Sequence, residues 1–161
     1  MFFPSKHNRT PGRSRWSPRV ADVHDRKTRS RNMAAILSKN TNPEKTVRSA
    51  LFRSGLRFRL HARDLPGSPD LVFPRYRAAV FVHGCFFHAH DCEYFKWPST
   101  NAEFWRTKIL GNRTRDDRNI RELRARGWRT FVIWECELKR GQKDAKLTKL
   151  ASKIREAWPK A

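Results

Sequence analysis

Hydrophobic and polar positions change period several times along this chain, and each change marks an element. Over residues 28–38, Met33, Ile36 and Leu37 fall on one side among arginines and lysines, as on a surface helix. Asn40-Thr41-Asn42-Pro43 interrupts that pattern. Asn42 suits a helix N-cap and Pro43 the first helical position. A helix from Pro43 to about Ser54 follows, with Val47, Ala50 and Leu51 as its apolar face and Gly55 as its stop. The period then becomes two: Leu56, Phe58 and Leu60 alternate with Arg57, Arg59 and His61, which predicts a half-buried strand. Pro66-Gly67-Ser68-Pro69 is a turn, Asp70–Phe73 a short strand, and Ala78–His83 (AAVFVH) a strand buried on both faces. Residues 84–100 carry no period. A long helix runs from Asn101 to Arg126, Gly127 closes it, and Trp128–Trp134 is a further strand before a basic helix over Asp144–Trp158. Helix, helix, three strands, helix, strand, helix describes an α/β fold with a mixed sheet flanked by helices. No internal repeat is present.

Charge narrows the class. A formal net charge of +21 on 161 residues calls for a polyanionic partner, nucleic acid before an anionic membrane. No apolar run approaches the ~20 residues of a spanning helix, and Met1-Phe2-Phe3 leads directly into polar and basic residues rather than a signal peptide. Residues 1–20 hold Pro4, Pro11, Pro18 and five basic residues without an acid, and read as a disordered basic arm or an over-extended start, with a second start near Val20.

The cysteines come next. Cys85, Cys92 and Cys136 are three, so they cannot all pair. Two of them flank a loop that also holds histidines, a combination typical of intracellular zinc, and a reducing, cytoplasmic compartment is expected. Cys85, His90, Cys92 and Cys136 can supply a closed structural Cys₃His set tying the loop to the last strand. Residue types alone leave the choice among His83, His88 and His90 open, and Cys136 could be an ordinary buried residue.

Carboxylates supply the candidate chemistry. Asp70 opens a strand, where it can reach a divalent metal such as Mg²⁺ or simply close a turn. At about 100° per residue, Trp105, Ile109, Asn112, Asp116, Ile120 and Leu123 share an arc of roughly 80°. The stripe is apolar at both ends and polar in its middle. Asp116 therefore needs a partner, an imidazolium or an arginine, because an unpaired carboxylate in a core face is costly. Glu44 lies beside Val47 and Leu51, where it also suits the helix dipole. If His90 binds metal, His88 remains as a free imidazole able to take a proton near neutral pH. Phe86, Phe87, Tyr94, Phe95, Trp97, Phe104 and Trp105 crowd the same region, either as a small core around the metal or as rings that wedge between bases.

These residues carry a resemblance. Ala21-Asp22-Val23-His24-Asp25, Thr28-Arg29-Ser30-Arg31-Asn32-Met33, Leu65-Pro66-Gly67-Ser68-Pro69-Asp70, His83-Gly84-Cys85-Phe86-Phe87-His88, Glu103-Phe104-Trp105 and Trp134-Glu135-Cys136 stand in the order seen in very-short-patch repair (Vsr) endonucleases. The resemblance covers about residues 21–141, leaving the arm and a basic C-terminal helix or tail over 142–161. It implies a restriction-endonuclease-like fold with a structural zinc, and nicking on the 5′ side of the thymine in a T·G mismatch left by deaminated 5-methylcytosine. It implies Asp70 and the Val82 backbone carbonyl as Mg²⁺ ligands, His88 as catalytic base assisted by Asp116, and Glu44 and Asn112 nearby. Cys85, His90, Cys92 and Cys136 match the zinc ligands. Phe86, Phe87 and Trp105 match rings that wedge beside the mismatch, and Met33 a residue inserted from the other groove. The partners so implied are double-stranded T·G DNA, a DNA cytosine methyltransferase and mismatch-repair proteins such as MutL, for a monomeric enzyme.

Departures are few. Phe87 replaces a Trp and Val82 a Thr, while Ala89 and Asp91 replace histidines and so favour His90 as the zinc ligand. The acidic-x-Lys pair usual in restriction-type nucleases is missing, which fits a histidine-based variant. Two other readings compete: a zinc-stabilised DNA-binding module without catalysis, and a nicking nuclease indifferent to mismatches.

Overall fold

The computed structural model describes residues 25, 27, 28, 31, 39–139 and 141–156. The basic arm, the boundary near residue 21, Met33 with most of the helix expected at 28–38, and the far end of the last helix at Trp158 lie outside the described residues.

Helix α1 spans Asn42–Arg53. Its cap is Thr41, one residue before the expected Asn42. Thr41 accepts from the Glu44 amide while the Glu44 carboxylate reaches back to the Thr41 amide, a reciprocal capping box. Asn42 lacks a glutamate three residues on, so the pair Thr41/Glu44 wins the position. Gly55, at φ +80, turns the chain out of the helix.

The sheet has four strands in the order β1 (Arg59–Leu60), β2 (Leu71–Phe73), β3 (Ala78–His83) and β4 (Arg129–Trp134). β1 and β2 pair antiparallel, β2 and β3 antiparallel, and β3 and β4 parallel. β1 is shorter than its alternating sequence predicts. Leu56 is buried, but Leu60 is 45% exposed, because β1 is an edge strand and His61 adopts φ +46 directly after it.

Helices cover both faces. Val47 and Leu51 of α1, and Leu147, Leu150, Ala151 and Ile154 of helix α3 (Lys143–Arg155), pack on one face with Leu71, Phe73, Val80 and Ile133. Helix α2 (Ala102–Ala125) sends Leu123 and Ile120 against Ala79, Phe81 and Val132 on the other face. A fully buried Leu or Ile contributes roughly 1.5–3 kcal/mol, and β3, buried from both sides, is the centre of this layering. That explains its unbroken apolar run.

The topology also fixes where chemistry can gather. The C-terminal ends of the parallel pair β3 and β4 point the same way, and the antiparallel β2 begins at that end. Asp70 before β2, His83 at the end of β3 with the loop to His90 after it, and Cys136 after β4 therefore meet at one end of the sheet.

Candidate active site and metal centre

Asp70 sits one residue outside the β2–β3 ladder, whose last pair at this end is Leu71 with Val80. Its carboxylate continues the ladder: Oδ2 accepts the Val82 N–H at 2.7 Å. It is thus the amide of Val82 that meets Asp70 directly. Burial raises the Asp70 pKa to about 6, the Val82 hydrogen bond opposes that rise, and Glu44 adds to it. A half-buried carboxylate held in this way favours a cation beside it, which is what a metal ligand needs.

Glu44 approaches from α1 and is only 4% exposed. Its oxygens are engaged by the Asn40 amide at 3.0 Å, the Thr41 hydroxyl at 2.9 Å and Arg48 at 2.5 Å. The same Arg48 nitrogen lies 3.0 Å from His61 Nε2, and His61 Nδ1 lies 4.0 Å from Asp70 Oδ1. Burial first, and Arg48 second, hold the His61 imidazole below its ordinary value. Arg48 and His61 were not among the candidates read from the sequence. The only local signal was the spacing of Glu44 and Arg48, one helical turn apart.

The other half of the site hangs on α2. Asp116 Oδ2 lies 2.5 Å from His88 Nδ1, so the polar middle of the helical stripe has an imidazole partner rather than an arginine. A carboxylate at Nδ1 places the proton of a neutral ring there and leaves a lone pair on Nε2. Asn112, one turn earlier, donates to the Phe87 carbonyl at 3.0 Å and accepts from Arg115 at 2.7 Å, fixing the backbone just before His88. His83 stacks face to face on His88 with centroids 3.9 Å apart. Burial pushes the His83 pKa down to about 4, which keeps that ring neutral next to the His88–Asp116 pair. Among the influences on the Asp70 carboxyl, that of a cationic His88 is the smallest, and its direction is downward.

Cys85, His90, Cys92 and Cys136 bring their ligand atoms within 4.8 Å of one another. His90 Nδ1 lies 3.6 Å from the Cys85 sulfur and 3.3 Å from the Cys136 sulfur. The edge of a tetrahedral zinc site between sulfur and nitrogen is about 3.5 Å from ordinary bond lengths. The His90 ring stacks on Trp134 at 4.1 Å, which sets its orientation. Burial pushes the Cys85 thiol up to about 12, and a dication would offset that cost. Donor types and spacing together fit a closed metal centre. Of the three histidines that the residue types left open, His90 is the one in this group, while His83 and His88 lie with Asp116.

Phe86 packs edge-on against Phe87 at 5.1 Å and against Trp105 at 5.2 Å. All three are half-buried, and the more exposed Phe104 and Trp97 lie under Lys108 and Arg106. Rings and cations therefore alternate on one surface beside the site.

Comparison with known proteins decides the family. The model of the DNA mismatch endonuclease Vsr family matches residues 21–94. The DNA mismatch endonuclease Vsr of Escherichia coli K12 is 48% identical over 124 residues, covering 77% of this chain and 80% of that protein. This chain belongs to the Vsr family of DNA mismatch endonucleases. Two other relatives carry the description type II nicking enzyme. The one from Xanthomonas oryzae pv. oryzae is 53% identical over 106 residues, 66% of this chain and 78% of its own. The one from Neisseria meningitidis serogroup A is 42% identical over 120 residues, 74% and 86% of the two chains. The mixed sheet between helices is the restriction-endonuclease-like architecture of the Vsr family. Among the described residues no helix is long and apolar enough to cross a membrane.

Proposed function

We propose that this Vsr-family chain nicks double-stranded DNA on the 5′ side of the thymine in a T·G mismatch left by 5-methylcytosine deamination. The observation that carries the reading is the joining of Asp70 and the His88–Asp116 pair at one end of the sheet, 2.5 Å separating the latter two. Asp70 is the carboxylate ligand of Mg²⁺, with the Val82 carbonyl as a second ligand. When bound, the ion supplies charge stabilisation for the phosphate and the leaving oxygen. His88 Nε2 takes a proton from the attacking water as its oxygen bonds to phosphorus and the P–O ester bond breaks. Asp116 holds the imidazole in the tautomer that can do so. Asn112 positions the loop, and Glu44 acts through Arg48. A binding module without catalysis would have no use for a half-buried imidazole–carboxylate pair beside a carboxylate of raised pKa.

Cys85, His90, Cys92 and Cys136 hold structural zinc. Phe86, Phe87 and Trp105, with Met33 from the opposite groove, wedge beside the mismatch, where unstacking costs least. A DNA cytosine methyltransferase creates the lesion, and mismatch-repair proteins such as MutL act alongside in the bacterial cytoplasm. The direct test is a labelled duplex with one T·G pair, compared with its T·A counterpart, with and without Mg²⁺. One strand of the T·G duplex is cut, only with Mg²⁺. Equal cutting of the T·A duplex would overturn the mismatch assignment.

A further inference from the structure

Glu44, His61 and Asp70 place ligand atoms within 4.8 Å of one another, which raises the question of what His61 does there. A metal bound by all three is disfavoured, because Arg48 already sits on Glu44 at 2.5 Å and on His61 Nε2 at 3.0 Å. The Arg48 contact is informative in another way. A guanidinium has donors only, so His61 Nε2 must accept and the ring proton of the neutral imidazole resides on Nδ1. Nδ1 is the atom that faces Asp70 Oδ1, at 4.0 Å. That distance suits an ion–dipole interaction rather than a direct hydrogen bond. Oδ1 is also the carboxylate oxygen that the Val82 amide leaves aside, since Val82 donates to Oδ2.

The backbone serves the same geometry. His61 adopts φ +46, an uncommon conformation for a residue with a side chain, and its amide donates to the Asp70 carbonyl at 3.3 Å. His61 is thus tied to Asp70 through its main chain, while Arg48, anchored on α1 by Glu44 and by the Asn40 side chain at 2.5 Å, sets its ring.

We propose that His61 is a positioning residue for the metal-binding carboxylate: Arg48 locks it as the Nδ1–H tautomer, and that N–H orients Asp70 Oδ1 while Val82 holds Oδ2. The inference rests on the reading of Asp70 as a metal ligand. Groups that orient a metal ligand in this way are worth about 10- to 100-fold in metal affinity or activity.

Two measurements on the full-length, zinc-loaded protein test it. The first is the ¹⁵N NMR spectrum of the His61 ring at about pH 8, above the ordinary imidazole range. It should show Nδ1 protonated and Nε2 as the acceptor. A protonated Nε2 overturns the proposal. The second is Mn²⁺ binding, read from the electron paramagnetic resonance of the free ion, for His61→Ala, His61→Gln and His61→Asn. The Asn amide nitrogen falls near Nδ1, whereas the Gln amide reaches only the Nε2 position. His61→Asn should bind Mn²⁺ close to wild type, with Ala and Gln about 10- to 100-fold weaker. Equal affinity in all three, or an equal loss in all three, overturns the proposal, and the Asn–Gln comparison decides even if the Ala variant fails to fold. Asp70→Ala serves as the control. If it keeps wild-type Mn²⁺ affinity, the metal assignment of Asp70 itself is wrong; if it loses Mn²⁺ while every His61 variant binds normally, only the His61 inference falls.

Discussion

The cysteine corner and the carboxylate corner lie at the same end of one sheet and are built in opposite ways. The first is closed: four donors, three of them thiols, converge within 4.8 Å of one another. The second is open. Asp70 has one oxygen fixed by Val82 and the other 4.0 Å from His61 Nδ1, while Glu44 is engaged by Asn40, Thr41 and Arg48. A closed set stores folding energy, and an open one leaves room for a substrate phosphate. The loop between Cys85 and His90 joins them, since His88 projects from it toward Asp116. On the proposed reading, a metal held by the cysteine corner would also fix the His88 imidazole in place.

The sharpest way to break the contrast is Cys136→Ser. Because structural metal binding and folding are coupled, this change should remove the metal and cost most of the soluble, folded protein, as judged by metal analysis and a thermal melt. A stable, metal-free Cys136→Ser protein with normal nicking would show that the corner is ornamental. His88→Ala belongs to the other regime. Metal content and melting should stay near wild type while the single-turnover nicking rate falls roughly 10²- to 10⁴-fold, the usual contribution of a general base. Asp116→Asn should cost less, because it perturbs only the ring's orientation. Loss of zinc in His88→Ala, with zinc kept in His90→Ala, would exchange the roles of the two histidines.

The smallest effect separates function from stability at Asp70. Its folded-state pKa, about 6 against the ordinary 3.8, is raised chiefly by burial. Folding therefore favours the protonated carboxyl. That contribution is fully present below about 3.8 and is lost as pH rises through about 6. In buffer free of divalent ions at neutral pH, Asp70→Asn should stabilise the fold by on the order of 1–3 kcal/mol. The gain should shrink as pH falls through 6 toward 4, and denaturant melts at several pH values read it. A destabilised Asn variant at neutral pH would mean that the charge is already compensated by the protein.

Legibility in the sequence followed the same division. The cysteines declared their corner because few roles suit three clustered thiols and an imidazole. β3 was readable to the residue, since a strand covered on both faces runs apolar from Ala78 to Val82 and ends on His83. Asn112 and Asp116 stood out as polar residues in an apolar stripe, and the structure supplies their partners. Arg48 and His61 stayed hidden. Arg48 is one of 36 lysines and arginines, and His61 occupies a polar position of an alternating strand. Their meeting depends on a contact between α1 and the residue that follows β1, which no local pattern encodes. The helix cap was misplaced by one residue for a simpler reason: Asn42-Pro43 satisfies two local preferences, but the reciprocal Thr41–Glu44 pair satisfies two amides at once.

Asp70 and the His88–Asp116 pair form the proposed nicking site. Single-turnover cleavage of a T·G duplex by Asp70→Ala, at saturating enzyme and with duplex binding measured in parallel, tests it most directly. Binding should remain close to wild type, because the basic surface is untouched, and nicking should vanish at every Mg²⁺ concentration. Nicking at the wild-type rate would show that Asp70 is not part of the site.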